Sequence, residues 1–140
     1  MYAYPITPGD EDICMRTIWM EARGEPYEGK LAVAHVIYNR ATTGRSRWCT
    51  PAKVCLDHMQ FSGWRPNDPN LLAALSLAPS DLRAQDCLRA WREVCVRPTP
   101  DPTLGSLHYL NPAIASPEWA INKIPAYIVG NHHFFNNIAY

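Results

Sequence analysis

The run MEARGEPYEGKLAVAHVIYNRA, Met20 to Ala41, limits the fold more than any other stretch, because it reads as two helices with an enforced corner between them. Upstream, Ile13, Thr17, Ile18 and Met20 recur at roughly helical spacing, and Gly24 with Pro26 stops that helix and starts the next. Two glutamates, Glu21 and Glu25, fall at this corner instead of along a solvated face. Glu21 is placed in the last turn of a partly apolar helix. There the partial negative charge of the helix C-terminus and an apolar surround both disfavour a carboxylate. A glutamate that keeps its proton to higher pH suits a general acid.

The remaining pattern is helical first and extended later. Helices are expected over 10–22, 26–41, 71–77 and 80–96, with Ser80 as N-cap of the last one after Pro79. Their inward stripes are Ala73, Ala74 and Leu77, then Leu82, Cys87, Leu88, Trp91, Val94 and Cys95. Arg45 to Pro69 is turn-rich and reads as an ordered loop region shaping a cleft. Prolines at 98, 100 and 102 enforce an extended connection from Arg97 to Thr103. Short strands are expected over 107–110 and 126–129, and a third over 133–135. No repeat, low-complexity tract or long linker divides the chain. The expectation is one domain over residues 1–140, of α+β class, with a mainly helical body beside a small antiparallel sheet.

Composition narrows the function. At 140 residues the chain can bury roughly two thirds of its unfolded surface in one core. Thirteen basic and thirteen acidic residues give zero formal net charge, so neither nucleic acid nor an anionic membrane is an expected partner. No apolar run approaches membrane-spanning length, and no N-terminal stretch has the make-up of a signal peptide. Five cysteines, Cys14, Cys49, Cys55, Cys87 and Cys95, are an odd number without a paired CxxC, so they do not form a complete disulfide framework. A single bridge, for instance Cys49 to Cys55, stays open. Neither Cys49, Cys55 and His58 nor the adjacent His132 and His133 has the spacing of a closed zinc site, and no metal or cofactor is expected.

Several separated motifs carry a family resemblance. Met20-Glu21-Ala22-Arg23-Gly24-Glu25 is followed by a small-residue helix ending in Asn39-Arg40. Gln60-Phe61-Ser62, His108-Tyr109-Leu110-Asn111-Pro112, Trp119 and Gly130-Asn131-His132-His133-Phe134 then come in order. Over about residues 11 to 137 the chain resembles the SleB/CwlJ-type cell-wall hydrolases, which include spore cortex-lytic enzymes and phage or bacterial peptidoglycan hydrolases. Met20 departs from the pattern, which has Gly before the first glutamate, so the cleft wall there is expected to be narrower or more apolar. The resemblance implies a lysozyme-like α+β fold, with the glutamate at a cleft between the helical lobe and the sheet. It also implies action on peptidoglycan glycan strands.

The site residues follow from both readings. Glu21 is the expected general acid. Glu25 has two readings: a second catalytic carboxylate, or a structural residue where a helix N-terminus favours an acid. Asp57 and Asp68 are further carboxylates from the loop. Gln60, Phe61 and Ser62 offer an amide, a ring and a hydroxyl to N-acetyl groups and sugar faces. Tyr109 and Asn111 lie two apart on a strand and share a face. His132 matches a family position that orients the acid or contacts the sugar, while Trp48, Trp91 and Trp119 read as core or loop anchors. The expected reaction is cleavage of the β-1,4 bond between N-acetylmuramic acid and N-acetylglucosamine, by hydrolysis or by formation of a 1,6-anhydro product. Two other readings stand beside it: a non-catalytic peptidoglycan-binding module, and a metal-dependent amidase or peptidase using His108, His132 and a cysteine. A monomer is expected. It would be made in the host cytoplasm without a signal peptide and reach the wall through holin lesions, as a phage endolysin does.

Overall fold

A computed structural model describes residues 8–57, 60–78, 80–96 and 100–139. His58, Pro79 and positions 97–99 of the extended connection lie outside the described residues. The helices are α1 (Pro8–Ala22), α2 (Tyr27–Ala41), α3 (Pro51–Leu56), α4 (Pro69–Leu75) and α5 (Leu82–Val96). Three strands follow, β1 (His108–Leu110), β2 (Tyr127–Val129) and β3 (His132–Phe135). β3 is central and antiparallel to both neighbours, in the order β1-β3-β2.

The centre of the molecule is α2. Ala32, Val33, Ala34, Val36 and Ile37 are all fully buried. A helix apolar on nearly every side must be enclosed, and α1, α3 and α5 pack around it. Alanines at 32 and 34 keep its diameter small enough for close approach. Cys14, Met15, Ile18, Trp48, Val54, Cys87 and Trp91 complete this core.

Two elements depart from expectation. The stretch 45–69 is not all loop, since it contains α3, two short 3-10 turns (Ser46–Trp48 and Ser62–Trp64) and the start of α4. Thr50 caps α3 by accepting from the Lys53 N–H at 3.2 Å, and the buried Asp10 carboxylate accepts the Ala52 N–H at 2.9 Å. Asp68 does the same for α4 at Asn70 N. In both cases the residue before a proline is the cap and the proline opens the helix. At α5 the cap is Asp81, accepting from Arg83 N at 2.9 Å, and not Ser80. Leu82, in the first turn of α5, is 80 % exposed instead of inward, and Ala73 on α4 also faces out, while Ala74, Leu77 and the rest of the α5 stripe are buried or half-buried as expected.

The end of α2 builds the foundation of the sheet. Asn39 Nδ2 donates to Asp101 Oδ2 at 2.8 Å and to the Ser106 carbonyl at 3.1 Å. Asp101 also accepts from Thr103 N, Thr103 Oγ1 and Gly105 N. Arg40 Nε donates to the Leu107 carbonyl at 2.9 Å, one residue before β1. The Asn-Arg pair thus fixes where β1 begins, and so where Tyr109 points.

Candidate active site

The register pairs Tyr109 with Phe134 and Phe134 with Tyr127, so these three share the inner face of the sheet with His132. That face meets the C-terminal end of α1 across a cleft of about 790 Å³. Glu21 from α1, Gln60, Phe61 and Ser62 from the loop before α4, Tyr109 and His132 from the sheet, and Asn111, which lies just past the end of β1 and not on the strand as expected, all line it. The structure therefore brings these seven sequence-predicted residues together and leaves Glu25, Asp57 and Asp68 outside the lining.

Glu21 is the one carboxyl group in the cleft lining among the described residues. The Tyr109 hydroxyl donates to Glu21 Oε1. Burial raises the carboxyl above its ordinary value, opposed by the Tyr109 hydrogen bond and the Arg40 charge and assisted by the Asp68 charge. An ion pair with Arg23 or Lys30 is ruled out by where those cations go. Arg23 lies 4.4 Å over the Trp19 ring and donates to Asn70, and Lys30 donates to the Glu25 carbonyl. Tyr109 is itself held by Phe134 at 5.3 Å and the His132 ring at 5.2 Å. Burial lowers the His132 pKa, with the Glu25 charge opposing.

Glu25 stands elsewhere and does structural work. Its carboxylate accepts from Asn131 N at 2.7 Å and Asn131 Nδ2 at 2.9 Å, clipping the α1–α2 corner to the tip of the β2–β3 hairpin. Partial burial pushes its pKa up, but the two Asn131 hydrogen bonds and the His132 and Lys30 charges outweigh this and hold it below the ordinary value. Gly130 at that tip has φ +56°, and a Cβ there would run into Glu25 Oε1. Asp57 accepts from Trp48 Nε1 and Asp68 caps α4, so both loop carboxylates have structural partners.

The cleft lining also holds residues not read as such from the sequence, among them Trp119, Arg40, Ile114, Ala115, Ser116 and Pro117. Trp119 lines the cleft instead of only anchoring a loop, wedged against His108 at 5.0 Å and Phe135 at 5.4 Å. Trp48 and Trp91 are core residues. Arg40 reaches the cleft wall with its guanidinium 5.2 Å from the Phe61 ring. Ile114 borders the opening. The Asn39-Arg40 motif signalled the arginine, and Trp119 stands among the motif residues of the resemblance, but its place at the cleft is set by the 111–126 segment. Met20 does line the wall, and its Sδ lies 2.6 Å from where a Cβ on Gly63 would be, so that glycine makes room for the thioether.

The five cysteines carry free thiols, with Cys14 Sγ 3.9 Å from Cys55 Sγ and Cys49 exposed, so the Cys49–Cys55 bridge is not formed. Among the described residues no three His, Cys, Asp or Glu side chains converge as a metal ion would require, and no helix is long and apolar enough to cross a membrane.

Comparison with known proteins agrees with this geometry. The family model described as Cell Wall Hydrolase matches residues 24–135. The chain belongs to the cell wall hydrolase family. Within the family it is 28 % identical over 128 residues to the spore cortex-lytic enzyme of Bacillus cereus, and 30 % identical over 132 residues to that of Oceanobacillus iheyensis. Each match takes in 89 % of this hydrolase-family chain but 43 % and 41 % of the relatives, so the chain spans under half their length. The catalytic domain of the Bacillus cereus SleB protein superposes with a TM-score of 0.72 at 27 % identity, covering 96 % of this chain and 95 % of that one. The catalytic domain of a germination-specific lytic transglycosylase SleB from Bacillus anthracis gives 0.69 at 27 %, covering 95 % and 100 %. The lysozyme-like α+β fold is common to them.

Proposed function

We propose that this chain is a peptidoglycan-degrading glycosidase that cleaves the β-1,4 bond between N-acetylmuramic acid and N-acetylglucosamine, with Glu21 as general acid. The observation that carries the reading is a single carboxyl group in the cleft lining, among the described residues, raised in pKa by burial and held by the Tyr109 hydroxyl. Protonated Glu21 gives its proton to the glycosidic oxygen as the bond to the muramic C1 breaks and positive charge develops there. Asn111 spends its Oδ1 on the Ala113 N–H, which leaves its NH₂ for an N-acetyl carbonyl, and the Trp119 ring offers a face to a sugar.

The product follows from the carboxylate count. Two-carboxylate hydrolysis requires a second acid at a defined separation, and Glu25, Asp57 and Asp68 are held by other partners. Intramolecular closure requires none. The muramic 6-hydroxyl attacks C1, its proton passes to the Glu21 carboxylate, and a 1,6-anhydro sugar leaves with the acid reset. The lytic transglycosylase name of the Bacillus anthracis protein supports this course.

The test is mass spectrometry of soluble muropeptides released from purified sacculi by wild type and Glu21→Gln. Anhydro-muropeptides from the wild type, reduced by about 10²-fold or more in the variant, are expected. Reducing ends in place of anhydro ends would restore a hydrolytic course, and equal release by both proteins would sink the Glu21 assignment. Binding without release would mark a peptidoglycan-binding module. The cellular setting proposed with this reading is a monomeric phage endolysin released through holin lesions. Lysis on co-expression with a holin, and none without it, is the expected result.

A further inference from the structure

The 111–126 segment leaves β1 and crosses the outer face of the sheet before returning as β2. Beneath it is a second cavity of about 280 Å³ that the reaction above does not use. Leu110 and Phe135 form its apolar floor, Ile121 and Pro125 a wall, and His133 and Lys123 supply its polar groups. Its size is at the low end for ligand sites, suited to a short flexible segment and too small for another run of glycan.

Two observations identify an occupant. First, the cavity shares Leu110, Ala115, Ser116 and Pro117 with the catalytic cleft, so a branched polymer seated in the cleft can place a branch here without leaving the surface. Second, the charge is one-sided: Lys123 is in the lining, no carboxylate is, and no ion pair is formed by Lys123 among the described residues. A cation above an apolar floor selects a carboxylate attached to small apolar groups. Taking the polymer from the glycosidase reading, we infer that this cavity is a subsite for the peptide stem carried by the muramic lactyl group, whose alanyl methyls and free carboxylates have that chemistry. Lys123 binds a stem carboxylate, while Ile121 and Phe135 pack on the methyl groups.

The test is an NMR titration of ¹⁵N-labelled full chain carrying Glu21→Gln, so that the probe is not consumed. The two probes are the disaccharide N-acetylglucosaminyl-N-acetylmuramic acid, and the same sugar bearing L-alanyl-γ-D-glutamyl-meso-diaminopimelate. The stem-bearing probe is expected to move the amides of Ile121, Lys123 and Phe135 and to bind roughly tenfold tighter. Lys123→Glu should abolish that advantage and Lys123→Arg should keep it. Lys123 lies on an exposed stretch, so neither change threatens the fold. Equal affinity for the two probes, or an advantage untouched by Lys123→Glu, overturns the assignment. The titration reads binding and not cleavage, so the subsite and the glycosidase activity can fail separately. Stem binding by a chain that releases no muropeptides leaves the subsite standing and removes the enzyme reading, and release with no stem preference does the reverse.

Discussion

At the residue scale, Glu21 is held between opposing influences whose balance is measurable. Burial favours the neutral acid, while the Tyr109 hydroxyl and the Arg40 charge favour the anion. In the proposed mechanism the acid must carry its proton when the glycosidic bond breaks, so the alkaline limb of kcat/KM would report this group. Tyr109→Phe removes a donor to the carboxylate, Glu21 then keeps its proton to higher pH, and the limb is expected to move in the alkaline direction. A limb that stays put or moves towards acid would show that Tyr109 does not tune the acid. The same raised pKa weakens the fold. Native Glu21 binds its proton more tightly than the unfolded chain does, so stability falls as pH rises from the ordinary glutamate range through the native value. Glu21→Gln is neutral throughout and should therefore melt higher than wild type at pH 7 in calorimetry, and lose that margin below about pH 4.

At the element scale, two clips hold the sheet against the helices, and each can be cut. Asn39→Ala takes a donor from both Asp101 and the Ser106 carbonyl, for a loss of about 1–3 kcal/mol in urea unfolding. Activity should fall as well, since β1 and Tyr109 hang from that loop. Asp101 is pushed up by burial, but Thr103, Asn39 and His35 outweigh this and hold it below the carboxylate range. A depressed carboxylate stabilises above its unfolded pKa and loses that stabilisation as pH falls through the native one. Burial likewise lowers the pKa of His35, with the Asp101 and Glu93 charges opposing. Protonating it in acid also destabilises the fold. Asp101→Asn should therefore flatten the acid side of the stability profile. At the second clip, Gly130→Ala meets Glu25 at a positive φ and should lose about 1–3 kcal/mol. Glu25→Gln keeps an acceptor for the Asn131 N–H but loses the one for Asn131 Nδ2, and should still retain most of the activity. Near-total loss of turnover in a folded Glu25→Gln would make it the second carboxylate. What the sequence could and could not show divides along these elements. Helical periodicity and the Gly24–Pro26 break placed Glu21 correctly, because both are local signals. Glu25 stayed ambiguous because its partner, Asn131, is 106 residues away. Thr50-Pro51 and Asp68-Pro69 cap α3 and α4, but the turn residues around them dominate that stretch, so it reads as loop. Leu82 and Ala73 face out, which apolar character alone does not reveal.

At the scale of the whole molecule, zero net charge confronts a proposed substrate, peptidoglycan, that is anionic through its peptide stems, so the question is where attraction would come from. Much of the basic surface is locally paired: Arg92 with Glu11 at 2.7 Å, Arg83 with Asp81 at 2.7 Å and Arg16 with Asp12 at 3.1 Å. Such pairs add little stability singly, yet they cancel the field that would otherwise draw a polyanion from a distance. On the proposed reading affinity arises along the cleft and the adjoining cavity, from stacking, hydrogen bonds and two cations, Arg40 and Lys123. Screening acts on charges separated by more than the Debye length, roughly 10 Å at 0.1 M salt, and acts weakly on a close, partly desolvated contact. The rate of muropeptide release at low substrate should therefore change by less than about threefold between 50 and 200 mM NaCl. Lys123→Glu should lower that rate, and the repulsion it introduces should make the rate rise slightly with salt instead of falling. A tenfold or steeper decline in the wild type would mean that a dispersed basic field recruits the wall. Recognition would then belong to the molecular surface, and the local groove would serve chemistry alone.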